Sequence, residues 1–193
     1  STRPEQRAKA ALKLDEFGEQ AIPAIPFLVG MLGDNVLIPP LEEQSVWMSH
    51  SDFEIEIKTS PARLAAKVLR NLSEESETAL LSALGSTNWQ VKQNAVKILG
   101  SIESEKAVNP LIKLLKDSSW QVRAAAADAL GDIEENRAIK PLIDALRDQQ
   151  WQVRQAIVLA LSEFEETQIL KPMISALKDK NWQVREEAAE GLG

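Results

Sequence analysis

Trp89-Gln90-Val91-Lys92, Trp120-Gln121-Val122-Arg123, Trp151-Gln152-Val153-Arg154 and Trp182-Gln183-Val184-Arg185 are near copies of one tetrapeptide, each 31 residues after the last. Working outward from them, other positions keep the same register. Pro110, Pro141 and Pro172 stand ten residues before a Trp, and Asp117, Asp148 and Asp179 stand three before it. Leu99, Leu130, Leu161 and Leu192 stand ten after it. A fixed period of this length marks a stacked-repeat architecture, in which each unit buries its apolar side only against its neighbours.

Within one period the apolar residues recur at helical spacing. Val108, Leu111, Ile112 and Leu115 share one face; after a turn, Val122, Ala126, Ala129, Leu130 and Ile133 share another. Each unit therefore reads as two helices. Asn88, Ser119 and Asn181 are placed to cap the second helix through a side-chain oxygen, and Gly100 and Gly131 suit its C-terminal end. The recurring Pro lacks an amide proton, so it belongs in the first turn of the first helix or kinks that helix. Ala79 replaces it in the preceding unit, where a weaker kink is expected.

The template continues towards the N-terminus. Ala65, Ala66, Leu69 and Leu72 match a second helix, and Ile25, Leu28, Met31, Leu32 and Asp34 match its first. Arg7, Ala10, Ala11, Leu14 and Phe17 match the second helix of a still earlier unit. The expectation is an all-α chain, an α-solenoid of about five stacked helix pairs forming a single array over 1–193. Its first helices occupy 5–34, an insertion 35–60, and regular repeats 61–193. Because it starts and stops at second helices without a polar cap, it is expected to be a piece of a longer array.

The pattern in residues 107–133, A-V-x-P-L-I-x-L-L-x-D-x-x-W-x-V-R-x-x-A-A-x-A-L-G-x-I, resembles the HEAT repeat, and more narrowly the short prokaryotic variety shared with phycobiliprotein (phycobilisome) lyases. In that family the second helix lines a concave surface, and Asp and Arg residues near the turn form a ladder between repeats. The resemblance implies such a ladder from Asp117, Arg123, Asp148, Arg154, Asp179 and Arg185, each Asp six residues before its Arg. Ser86 and Lys92 depart from it, so that rung should be weaker or missing.

Two features could carry recognition. The indoles of Trp89, Trp120, Trp151 and Trp182 either pack over neighbouring repeats or form an aromatic stripe for a partner. On the second helices, positions four, five and eight after the Trp are expected to point away from the core. They read Gln93, Asn94 and Lys97; Ala124, Ala125 and Asp128; Gln155, Ala156 and Leu159; Glu186, Glu187 and Glu190. They vary while the core repeats. The 35–60 insertion adds Trp47, then Phe53 and Ile55 in an alternating run with strand periodicity, and is expected to shape one end of a binding groove.

Composition excludes several classes of function. A formal net charge of −7 disfavours a grip on nucleic acid phosphates or an anionic membrane surface. No apolar run reaches the roughly 20 residues of a membrane helix. Cysteine is absent, which removes thiolate nucleophiles and Cys-based metal sites and suits a reducing, cytoplasmic setting. His50 is the only histidine, so a His-rich metal site is excluded too. No phosphate-binding glycine loop or nucleophile elbow is present. The reading is a non-catalytic protein-interaction scaffold with no catalytic residue, metal or cofactor, binding a protein through its concave face. The alternatives are a lyase-like protein that handles a bilin, which the resemblance allows, and a sensor or scaffold arm of a larger signalling protein.

Overall fold

Small and branched apolar residues at helical spacing give eleven α-helices among the residues described, and in each complete 31-residue repeat they fall in pairs. The computed structural model describes residues 3–38, 60–165 and 167–193. The chain divides into two compact units, Ser1–Ala79 and Leu80–Gly193, with the division inside one helix.

In the first unit, α1 (Pro4–Glu16) and α2 (Ile25–Met31) both pack on α3 (Pro61–Asn71). Ala8, Ala11, Leu28, Met31, Ala65, Val68 and Leu69 form the core between them. Ser60 starts α3 by accepting the Arg63 amide on its hydroxyl, and Pro61 in the first turn has no amide to leave unsatisfied. Phe17, matched to the same second helix, lies one residue past the end of α1 as its C-cap and is exposed. The helix α4 (Ser73–Ala83), which carries Ala79 in place of proline, runs uninterrupted for 11 residues.

The second unit holds the regular repeats. Its second helices are α5 (Trp89–Ser101), α7 (Trp120–Ile133), α9 (Trp151–Ser162) and α11 (Trp182–Glu190), packed side by side in chain order. The first helices α6 (Val108–Leu114), α8 (Ile139–Ala145) and α10 (Leu170–Ala176) each lie on the second helix of their own pair. Pro110, Pro141 and Pro172 occupy the third position of these helices, where a missing amide costs no intrahelical bond. Each is preceded by a three-residue 3₁₀ turn. Leu99, Leu130 and Leu161 are fully buried, each contributing roughly 1.5–3 kcal/mol.

Two expectations about helix ends change. Asn88 and Asn181 do cap α5 and α11, accepting the Gln90 and Gln183 amides at 2.9 Å. Ser119 does not cap α7: its hydroxyl donates instead to Gln121 Oε1 at 2.8 Å. The left-handed residues at the ends of α5 and α7 are Glu103 and Glu134, not glycines. Gly100 and Gly131 lie inside the helices, where the next second helix comes closest. A Cβ on Gly100 would stand 2.8 Å from Ala129 Cβ, and one on Gly131 would stand 2.9 Å from Ala160 Cα. Glycine is required there by interhelical approach.

Candidate functional site

The turn between the two helices of a pair is held by a cation from the preceding pair. Arg123 donates from Nε and Nη2 to both carboxylate oxygens of Asp148, at 2.7 and 2.9 Å, and from Nη1 to the carbonyl of Asp117 at 2.9 Å. Arg154 does the same one period later, to the Asp179 carboxylate at 2.7 and 2.8 Å and to the Asp148 carbonyl at 2.8 Å. The ladder is therefore real, but Arg123 and Arg154 each bind the carboxylate 25 residues after them and take only the backbone of the Asp six before, and Arg185 takes the carbonyls of Asp179 and Lys180. Lys92 also makes a rung, to Asp117, as a lysine pair, whereas Ser86 brings no carboxylate to its own turn, as the departure at that unit implied. In the first unit Arg7 meets Asp34 at 2.6 Å in the same manner.

Each of these aspartates in the second unit has another task. Asp117, Asp148 and Asp179 accept, at 2.8 Å, the amides of Ser119, Gln150 and Asn181 just before the second helix. Burial pushes the Asp117 and Asp148 carboxyls up, but the Lys92 ammonium, the Arg123 guanidinium and these amides outweigh it and hold both below the usual carboxylate range. Asp179 is lowered chiefly by Arg154. The Asp179 carboxylate in turn raises Arg154, as Asp148 raises Arg123. These residues fix the stacking geometry and have little freedom to meet a ligand.

The candidate recognition residues lie along one side of the second helices of this unit. At position eight, Lys97, Asp128, Leu159 and Glu190 are all exposed, Leu159 by 44%. At position four, Gln93, Ala124 and Gln155 are half-buried and Glu186 is exposed. Position five departs from expectation: Asn94 and Glu187 are half-buried, whereas Ala125 and Ala156 are buried between neighbouring second helices. Close helix approach turns that position into packing surface. The four indoles share no common centre of burial: Trp89 and Trp182 are exposed, and Trp120 and Trp151 are half-buried. Trp47, Phe53 and Ile55 of the insertion lie outside the described residues.

Side chains from separate repeats meet along this surface. Gln155 donates from Nε2 to Glu187 Oε2 at 3.0 Å, linking α9 to α11. Asp128 is exposed as a residue, yet protein packed around its carboxyl displaces enough water to raise it to about 6. Asp132 and Glu187 add to that rise, and Lys97 opposes it. One carboxyl on α7 thus feels charges from α5 and α11. The glutamines that follow each Trp stand beside these candidates, although they were not among them. Gln152 and Gln183 have buried Oε1 atoms that meet no donor among the described residues. Helical spacing puts position one on the same side as positions five and eight, and the fourfold Trp-Gln repeat was the available signal.

Comparison with known proteins bears on the fold. A family model described as HEAT repeats matches residues 77–162 and 139–193, together more than half of the chain. No curated protein matches the sequence. The chain is similar in structure to the complex of CpcE and CpcF of phycocyanin lyase from Nostoc sp. PCC7120, with a TM-score of 0.72 at 21% identity, over 89% of this chain and 99% of that one. It also resembles Kap121p, with a TM-score of 0.64 at 17% identity over 96% of this chain, while spanning 23% of Kap121p. The E. coli protein YibA gives 0.62 at 18% identity, over all of this chain and 64% of that one. At these identities the structures speak to fold, and they agree with the sequence: a helical solenoid. With its repeats matched and its ladder in place, the chain belongs to the HEAT-repeat family.

Proposed function

We propose that the chain is a non-catalytic interaction scaffold that binds a protein partner through the exposed side of its second helices, the concave face of a HEAT array. The observation that carries this reading is the variation at position eight. Lys97, Asp128, Leu159 and Glu190 occupy equivalent exposed places with four different side chains, while the leucines two residues beyond them stay leucine. A face that keeps its scaffold and changes its contacts is suited to one partner. An exposed leucine beside carboxylates offers both an apolar contact and charge selectivity.

The test is capture from the source cell on the immobilised chain, compared with the triple variant D128K/L159E/E190K. The variant should retain at least tenfold less of the captured protein at unchanged helical circular dichroism. Equal retention would overturn the assignment of this face. A second reading rests on the likeness to the phycocyanin lyase complex, which a bilin-handling role would explain. Adding a bilin and finding a shifted visible absorption band would favour it over the scaffold.

A further inference from the structure

The inner second helices α7 and α9 carry one cation each, Arg123 and Arg154, and the ladder takes both. The same helices and their ends carry Asp128, Asp132 and Glu163, all exposed, and none of the three is in an ion pair among the described residues. They stand eight or twelve residues after a Trp, on the helix side that also carries Leu159. Burial raises the Asp128 and Asp132 carboxyls. Asp132 and Glu187 push the first further up and Glu103 the second, and only Lys97 of α5 opposes. The strip thus holds negative charge that its own cations do not offset. That charge is spread out, since among the described residues no three such groups lie together as a metal ion requires. An apolar contact stands beside it. The helices α7 and α9 approach closely where a Cβ on Gly131 would stand 2.9 Å from Ala160 Cα. Gly131 lies between Asp128 and Asp132 in sequence, and Leu159, 44% exposed, directly precedes Ala160. With helix axes roughly 8–10 Å apart, one long side chain can reach the leucine and both carboxyls.

We infer that this side of α7 and α9 docks a basic segment of the partner protein, with the aliphatic stem of a lysine or arginine on Leu159, its cation at Asp128 and Asp132, and a further cation at Glu163. The inference rests on the reading of this side as the binding face and adds the sign of the partner's charge. Charge complementarity carries it: carboxyls that repel one another are relieved by an incoming cation, whereas an acidic partner would add to the repulsion. Lysine and arginine suit the leucine as well, because their stems cover apolar surface while the charged head stays outside it. The same argument sets a boundary. Lys97 of α5 stands at the position that Asp128 holds in α7, so the sign reverses there and the basic segment ends at α5.

The probe is a fluorescein-labelled peptide in a glycine–serine background, with two lysines on each side of a central leucine. A second peptide carries glutamate in place of every lysine. Titrated with the full chain at low ionic strength and followed by anisotropy, the lysine peptide should bind and the glutamate peptide should not. The near-isosteric double variant D128N/D132N should weaken binding about tenfold or more. D144N/E105Q removes the same charge from exposed sites on α8 and before α6, and should change binding less than twofold. K97E should tighten it. L159S should weaken binding of the lysine peptide and leave unchanged that of a version with serine for its leucine. Failure of the lysine peptide to bind, equal binding of the two peptides, or equal losses in the two double variants would each overturn the inference, the last by reducing it to attraction by net charge. Helical circular dichroism of each variant shows that the fold is kept. The capture experiment separates this inference from the face reading. If D128K/L159E/E190K loses the captured protein while the lysine peptide neither binds nor releases that protein from the parent chain, the face stands and the basic partner falls.

Discussion

The rung at Lys92 and the rung at Arg154 do the same task with different chemistry. Lys92 brings a single ammonium to Asp117. Arg154, buried to 5% exposure, brings a planar fork that binds both oxygens of Asp179 and also ties down the Asp148 and Gln149 carbonyls of its own turn. A point charge satisfies the carboxylate, whereas the fork joins two turns to each other and fixes the angle between them. The lesson is that charge places a rung and planar hydrogen bonding sets its geometry.

The sharpest way to break the comparison is R154A. It leaves Asp179 half-enclosed without its cation, and the expected loss is about 3–5 kcal/mol in urea unfolding followed by circular dichroism. A loss below about 1 kcal/mol, the worth of a surface pair, would show that the rung is ornamental. Next in size is G131A, in the same unit. Its methyl would meet the Ala160 backbone at 2.9 Å, and overpacking of this kind costs about 1–3 kcal/mol. G30A in α2, where a Cβ meets nothing within 4 Å, should have the opposite sign and add up to about 1 kcal/mol. Equal signs for the two glycines would refute the close-approach account. K92R would convert the point-charge rung to a fork and should stabilise by about 1 kcal/mol, the scale of a net hydrogen bond.

The smallest effect lies in pH dependence, and the two kinds of carboxyl have opposite signs. Asp117, Asp148 and Asp179 are lowered, so their contribution is present above the ordinary value near about 4 and is lost as pH falls through their folded values. Asp128 is raised, so the folded chain holds its proton more tightly than the unfolded one. Its contribution is present below about 4 and is lost as pH rises through about 6. D128N should therefore raise the melting temperature at pH 8 and leave it unchanged at pH 4. A gain that is equal at both pH values would show that Asp128 does not titrate with folding.

The period, the helix pairs and the first-turn prolines were legible because each is written by local spacing. The ladder was legible in its members and not in its pairing. Asp117 precedes Arg123 by six residues and Asp148 follows it by 25, and in a 31-residue repeat both separations recur at every unit. Periodicity alone cannot choose between them; only the direction in which the helices stack can. The buried Ala125 and Ala156 were misplaced for a related reason. A helical wheel assigns them to the open side, and only the tight approach at Gly100 and Gly131 makes them packing residues. The charges that act on Asp128, from Lys97, Asp132 and Glu187, come from three helices and have no signature in any one of them.

The ladder also bears on how such a chain can change length. Since the cation of a regular unit reaches only as far as the Asp of the following one, loss or duplication of a whole 31-residue unit regenerates a junction in the same register on both sides of the cut. A deletion one residue longer or shorter would throw the Arg fork, the Gly notch and the proline turn out of step together. Growth by whole units is thus the path of least resistance for the gene, and the stacking chemistry filters out the others.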